Sequence, residues 1–336
     1  MVLGSAGFIG RWVASQLSRA EADLLLPVRD TNAAKDVFQR FEITGAAEKA
    51  DLADFNELNR LINSFQPAII FNLAGYGVDR TETDERTASE INCELVSAIC
   101  RAAARTRNEQ SWNGQRIVHA GTAMEYGRAD GDLAESSQCL PTTVYGRSKL
   151  AGTRVLSELC EQFEIPGTTA RLFAVYGPGE PRSRLLPSLI SASKTNGPIN
   201  LTDGKHKRDF TYVRDVANAL LHIGSSAKAG RIINVATGKL TSIEEFVRTA
   251  AKILGIAEER LLFGSLHTRP EEMRHLPVST QQLLSDIGWK PRISIEQGIS
   301  ETADFNSNGE NQSSVKRMNK VHRVCELFSP ILATIK

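Results

Sequence analysis

The sequence predicts an α/β protein built on a doubly wound parallel sheet, and three observations carry that prediction. Short apolar runs alternate along the chain with longer amphipathic segments, the order that strand–helix–strand units impose. One run, Ala68-Ile69-Ile70-Phe71-Asn72-Leu73-Ala74-Gly75, is apolar without alternation, as a strand covered on both faces requires. The first run leads into a glycine-rich loop, Gly4-Ser5-Ala6-Gly7-Phe8-Ile9-Gly10, which opens a helix.

The 336 residues can bury a large core in one or two domains. Lys+Arg 40 against Asp+Glu 39 leaves a net charge of +1, which argues against a general binder of nucleic acid or anionic membranes. No run approaches a membrane span and the N-terminus lacks a signal-peptide pattern, so a cytoplasmic protein is expected. Five scattered cysteines without metal-type spacing read as buried thiols, and no metal site is expected.

Element by element, Met1-Val2-Leu3 reads as a strand and the helix after the glycine loop runs to about Ala20, amphipathic through Trp12, Val13, Gln16 and Leu17. Glycines there allow a tight turn and a close approach of backbone to a pyrophosphate, which the helix N-terminus attracts. Leu24 to Val28 is a second strand, and Arg29-Asp30 follow where a loop reaches an adenosine ribose. An acid at that point binds ribose hydroxyls, whereas an arginine favours a 2′-phosphate; Arg29, with Lys35 nearby, favours NADP, and Asp30 keeps NAD open. Asp51-Leu52 follow a third strand. Leu58, Leu61, Ile62 and Phe65 mark a helix face ending near Pro67, and Thr87 to Arg105 is a further helix.

The apolar run Arg116 to Gly121 reads as a strand that delivers the Thr122 hydroxyl to the sheet's edge, with His119 a packed strand residue. Tyr145 and Lys149 stand four apart; if Tyr145 opens a helix, both lie on one face. An ammonium beside a phenol favours the phenolate, so Tyr145 is expected to exchange protons nearer neutral pH than a free tyrosine. Further on come a helix from Leu185 to Lys194, a strand Arg231 to Ala236, and a helix start at Thr241-Ser242-Ile243-Glu244 with acid in its first turn. Asn306 to Ser314 is polar and reads as a flexible linker; Val315 to Lys336, basic then apolar, reads as a docking helix or a poorly ordered tail.

In this order, the glycine loop, Thr122, and Tyr145-Gly146-Arg147-Ser148-Lys149 resemble the short-chain dehydrogenase/reductase family, in its extended branch of nucleotide-sugar epimerases, dehydratases and reductases. The resemblance covers residues 1 to about 303. It extends to Asn92, to the Leu73-Ala74-Gly75 strand end, to Arg208-Asp209-Phe210-Thr211-Tyr212-Val213-Arg214-Asp215, and to Arg269-Pro270-Glu271-Glu272. It implies a Rossmann-type NAD(P)-binding domain over 1–177 with returning segments near 206–236. A smaller interwoven substrate lobe would take 178–205 and 237–303, leaving 304–336 as linker and tail. The family's first strand is longer than the three residues before Gly4, which leaves a truncated or misassigned start open.

The resemblance also assigns roles. Gly4, Gly7, Phe8, Ile9, Gly10, Arg29, Asp30, Asp51, Leu52, Leu73, Ala74 and Gly75 would hold the cofactor. Thr122 would orient a substrate oxygen and Tyr145 would move its proton. Lys149 would hold the nicotinamide ribose. Arg208 and Arg269 would grip the diphosphate of a nucleotide sugar, a task suited to the guanidinium fork. A homodimer through the helices near Asn92 and Tyr145 is a further family expectation. Members that eliminate water or carbon dioxide carry an acid two residues after the Thr. Met124 stands there instead, and Glu125 falls on the opposite face if the strand continues. That disfavours dehydratase and decarboxylase. It leaves a 4-epimerase first, an NADPH-dependent keto-sugar reductase second, and a cofactor-binding sensor or scaffold without turnover third.

Overall fold

The computed structural model describes residues 1–79, 81–106, 112–129, 132–228, 230–267 and 276–307. In chain order the first half runs β1 (Val2–Leu3), α1 (Gly10–Arg19), β2 (Leu25–Val28), α2 (Thr31–Arg40), β3 (Ala46–Lys49), α3 (Phe55–Phe65), β4 (Ile70–Asn72), α4 (Glu85–Ser89), α5 (Leu95–Arg105), β5 (Ile117–Thr122) and α6 (Val144–Gln162). There follow β6 (Gly167–Leu172), β7 (Ala174–Tyr176), α7 (Leu185–Ser193), β8 (Ile199–Asn200), β9 (Lys207–Arg208), β10 (Phe210–Tyr212), α8 (Val213–Ser225), β11 (Ile232–Val235), β12 (Thr241–Ser242), α9 (Ile243–Leu254), β13 (Leu261–Leu262), α10 (Gln281–Ser285) and α11 (Ile295–Ser307).

The central sheet has the order β1-β4-β5-β6-β11 with every neighbouring pair parallel. The parallel pair β2-β3 lies beside β1, so the chain winds outward in both directions from the β1/β4 junction. Ligands of such sheets bind beyond the strands' carboxyl ends at that reversal. The glycine loop, Leu73 to Gly75 and Thr122 all leave the sheet at that end.

Strand residues alternate between two apolar layers. Val2, Phe71 and Val118 join a cluster with Trp12, Val13 and Leu17 of α1 and Val216 and Leu220 of α8. Their neighbours Leu3, Ile70 and Ile117 join a second cluster with Leu58 and Ile62 of α3, Val96 and Ile99 of α5, and Leu156 of α6. Helices on both faces account for strands that read as unbroken apolar runs. A third cluster unites Leu186, Leu189 and Ile190 of α7 with Phe246, Val247 and Ala250 of α9, closed by Tyr176, Phe210 and Tyr212.

Three expectations change. The fourth strand is shorter than its apolar run, confined to Ile70–Asn72. The helix expected over Thr87 to Arg105 begins at Glu85 and is interrupted by one π-helical turn, Glu90–Glu94. The expected linker boundary also moves, because α11 continues to Ser307. Its Phe305 is buried against Phe41, ring centroids 5.5 Å apart, under the Arg40 guanidinium. The remainder of the expected linker and tail, 308–336, lies outside the described residues.

Candidate active site

Thr122 closes β5 and Tyr145 is the second residue of α6, whose start is capped by the Thr143 hydroxyl accepting from Gly146 N at 3.0 Å. The helix can approach the end of β5 because residue 146 is glycine: a Cβ there would lie 2.5 Å from the Met124 carbonyl oxygen. The Thr122 side chain thereby comes near enough to the Tyr145 phenol to lower its pKa against the effect of burial. One turn along α6, Lys149 is 2% exposed, and its Nζ stands 3.5 Å from His119 Nε2. The structure therefore brings together the three side chains that the sequence selected.

Their protonation differs from expectation. Burial pushes the Tyr145 phenol up to about 12, with the Thr122 hydroxyl and Arg184 working against that shift and Glu125 and Glu82 adding to it. The lowering expected from Lys149 does not materialise, because the ammonium is itself brought down to about 8 by burial, only partly opposed by Glu125. The lysine leans on His119, a neutral ring whose pKa lies well below the ordinary value through burial and the Lys149 charge.

Asn92 sits in the π-helical turn and clamps the loop above Tyr145. Its Oδ1 accepts from Tyr76 N at 3.0 Å, and its Nδ2 donates to Tyr76 O at 2.7 Å and Ser148 Oγ at 2.9 Å. Gly77 follows, packed so that a Cβ would meet the Tyr145 ring at 3.2 Å, and its N–H donates to Glu82 Oε2 at 2.8 Å.

Glu125 takes a place that strand extrapolation missed. The strand ends at Thr122 and Ala123–Glu125 form a single 3-10 turn, which folds Glu125 back beneath β5. Its Oε1 accepts from Thr122 N at 2.8 Å and its Oε2 from Arg171 Nε at 2.9 Å, both side chains almost fully buried. Arg171 also reaches Cys139 Sγ at 3.2 Å and covers the Tyr126 ring at 4.5 Å. A carboxylate held this way is a structural partner and not a free acid. Sequence reasoning did not select this pair; an arginine inside the apolar strand Thr169-Ala170-Arg171-Leu172 was its available signal.

At the other end of the cleft, Gly4 has φ +76°, and a Cβ would lie 2.8 Å from Leu73 O. Only glycine permits that crossing of the first and fourth strand ends. Ile9, which precedes α1, supplies no side-chain cap, and the first turn carries no acid. Its backbone N–H groups therefore suit a diphosphate, which is the fit a dinucleotide requires. Gly7 and Gly75 are exposed there, with Phe8, Ile9, Leu73 and Ala74 half-buried beside them. Arg29 and Asp51 meet in a depression of about 380 Å³ that Lys49, Ala50 and Glu57 complete. Leu52, half-buried, packs against the α3/α5 layer, and Asp30 points elsewhere: its Oδ1 caps α2, accepting from Asn32 N at 2.8 Å and Ala33 N at 3.1 Å.

On the expected substrate side, Arg208 lies on β9 and donates to Lys207 O at 2.9 Å. Asp209 is fully buried and accepts from Thr237 N, Gly238 N and Thr211 Oγ1, while Asp215 accepts from Arg292 N and Ile293 N. Arg269 lies outside the described residues. Glu180 was not anticipated: burial pushes its carboxyl up to about 7, and Oε2 has no hydrogen-bond partner among the described residues. No group of metal-ligating side chains occurs among the described residues, and no helix among them is long and apolar enough to cross a membrane.

Comparison with known proteins matches residues 1–236 to the model of the NAD dependent epimerase/dehydratase family. The chain is 28% identical over 347 aligned residues to a dTDP-L-rhamnose 4-epimerase of Burkholderia thailandensis, covering 90% of this chain and 93% of that one. It is also 28% identical over 314 residues to a dTDP-6-deoxy-L-talose 4-dehydrogenase (NAD(P)(+)) of Kitasatospora kifunensis, covering 89% and 93%. Among solved structures, MoeE5 in complex with UDP-glucose and NAD superposes with a TM-score of 0.77 at 25% identity, over 92% of this chain and 99% of that one.

Proposed function

The chain belongs to the NAD dependent epimerase/dehydratase family, and we propose that within it the protein is an NAD(P)-dependent 4-epimerase of a nucleotide-diphosphate sugar. One observation carries the reading: the Thr122 side chain acts on the Tyr145 phenol at the sheet's carboxyl edge, with Lys149 buried one turn along α6 and the nearest acid in sequence, Glu125, tied to Arg171. Epimerisation at one carbon needs a single group that takes and returns one proton, and Tyr145 with Thr122 supplies it. Dehydration needs a second acid, but Met124 occupies its place and Glu125 is tied to Arg171.

When bound, the oxidised nicotinamide supplies the two-electron acceptor and a positive charge beside Tyr145. In this reading Thr122 fixes the substrate hydroxyl within reach of Tyr145, and Lys149 holds the nicotinamide ribose. The glycine loop and the α1 N-terminus receive the pyrophosphate, with Leu73, Ala74 and Gly75 against the ribose and Asp51 and Leu52 near the adenine. Arg208 and Arg269 grip the substrate diphosphate, and the lobe built around α7 and α9 holds the sugar nucleotide over Tyr145. The family relation also supports a homodimer through α5 and α6.

Arg29 and Lys49 in one depression, with Asp30 engaged in capping α2, favour NADP over NAD. That same observation favours the second reading, an NADPH-dependent reductase of a nucleotide keto-sugar. The similarity to a 4-dehydrogenase supports it as well. Product analysis by NMR decides between them. Purified protein meets UDP-, dTDP-, CDP- and GDP-sugars, including 4-keto forms, with a trace of oxidised cofactor and again with excess NADPH. Many product molecules per cofactor establish the epimerase; product only in step with NADPH consumed establishes the reductase. No product from any sugar removes both and returns weight to a cofactor-binding sensor or scaffold.

A further inference from the structure

His119 sits in the middle of β5 with no exposed surface, and it touches two polar side chains. Its Nε2 lies 3.5 Å from Lys149 Nζ, and its Nδ1 lies 3.1 Å from the Asn72 amide at the end of β4. The neutral ring carries one proton, on one nitrogen or the other. If that proton sits on Nε2, it points at an ammonium group that has only protons to offer, donor against donor. If it sits on Nδ1, the Nε2 lone pair faces the ammonium and accepts from it.

The Asn72 amide must then present its oxygen to Nδ1, a half-turn from the placement with Nδ2 toward the ring. Amide oxygen and nitrogen are interchangeable in shape, so hydrogen bonding alone decides which is which. Either orientation leaves one amide atom without a partner, as Oδ1 now is among the described residues, so that count does not separate them. The ammonium does. We propose that His119 is a positioning residue: a neutral imidazole, protonated on Nδ1 and oriented by the Asn72 amide oxygen, whose Nε2 holds the Lys149 ammonium in place beneath Tyr145. This rests on reading Lys149 as the residue that holds the cofactor ribose.

A packed strand histidine with no such role would serve equally well as an apolar group, which separates the two cases. Besides His119, the charged group acting on Lys149 is Glu125 from the turn after β5, which raises it, and Tyr145 stands one turn earlier on α6. His119 is the third neighbour and the one whose removal takes away an acceptor without removing a charge. In His119→Leu the buried ammonium loses that acceptor, so Lys149 releases its proton more readily. In His119→Gln the Oε1 atom restores the acceptor and the Nε2 amide can still donate to Asn72.

Two NMR measurements on the full chain test this without any substrate. Nitrogen-15 spectra of the imidazole report its tautomer, and the Lys149 side-chain carbon signal reports its titration. The proposal expects a protonated Nδ1 that persists through neutral pH. It also expects a Lys149 midpoint that falls by about one unit in His119→Leu and returns to within a few tenths in His119→Gln, the loss of one hydrogen bond to the charged form. A proton found on Nε2, or a Lys149 midpoint unchanged in His119→Leu, overturns it. Turnover separates this from the functional reading: full activity in Lys149→Ala would remove the role given to Lys149, whatever the tautomer of His119.

Discussion

Two buried polar clusters flank the end of β5, and they are built to different standards. In the cluster of Glu125, Arg171, Tyr126 and Cys139, Glu125 accepts through both oxygens, Arg171 donates to carboxylate and sulfur, and the Tyr126 hydroxyl donates to Asn234 Oδ1 at 2.7 Å. In the cluster of Asn72, His119 and Lys149 the contacts are longer, one amide atom has no partner, and the lysine carries its charge against the cost of burial. A saturated network fixes geometry, whereas an under-satisfied buried group stores free energy that a ligand can release. Under the proposed function, the contrast gives support to the first cluster and chemistry to the second.

The sharpest way to break that contrast is at Tyr145, which lies one turn before Lys149 on α6 and whose phenol Glu125 affects. Tyr145→Phe removes the proton carrier while keeping the ring, and turnover is expected to fall by about 10²–10⁴-fold with an unchanged melting temperature. Undiminished turnover would leave the mechanism without its acid–base group. The saturated cluster is tested by breaking one partner: Glu125→Ala strands the Arg171 guanidinium in the core and should cost about 3–5 kcal/mol in denaturant unfolding. A loss under about 1 kcal/mol would show that the ion pair does not support the site in the way described.

The under-satisfied cluster should respond with the opposite sign. Burial lowers Lys149 from 10.5 to about 8, so between those values the unfolded chain holds a proton that the folded chain has released. Stability from this group therefore rises with pH across that window and is lowest below it. Lys149→Met should stabilise the ligand-free protein by about 3 kcal/mol at pH 7, a gain that fades as pH climbs toward 10.5, while abolishing turnover. Destabilisation at pH 7 would place Lys149 among the saturated groups. The smallest effect is expected far from both clusters. Arg29→Ser, which leaves the Asp30 cap intact, should cut NADP affinity about ten- to a hundredfold and spare NAD, measured as the ratio of the two dissociation constants.

The sheet was legible because its strands are apolar on both faces, and Ile117-Val118 or Ile70-Phe71 pass directly to opposite layers. Thr122, Tyr145 and Lys149 were legible because a strand end and a helical four-residue spacing fix where side chains go. Glu125 was not, since the strand stops at Thr122, three residues before it, and a 3-10 turn reverses its direction. Nor was the partner of His119. Asn72 is 47 residues away in the chain, and only the parallel register of β4 on β5 sets Asn72 beside His119. The protonation of Tyr145 was misjudged for a related reason: spacing shows which charge is near, but not how much water the fold removes from both groups.

The most direct test of the central claim follows the hydrogen on the reacting carbon. The nucleotide sugar that turns over is prepared with deuterium at C4, and the protein is run for many turnovers in ordinary water with a trace of oxidised cofactor. The account predicts inverted sugar that still carries its deuterium at C4, because Tyr145 exchanges only the hydroxyl proton. Inverted sugar with hydrogen from water at C4 would contradict it.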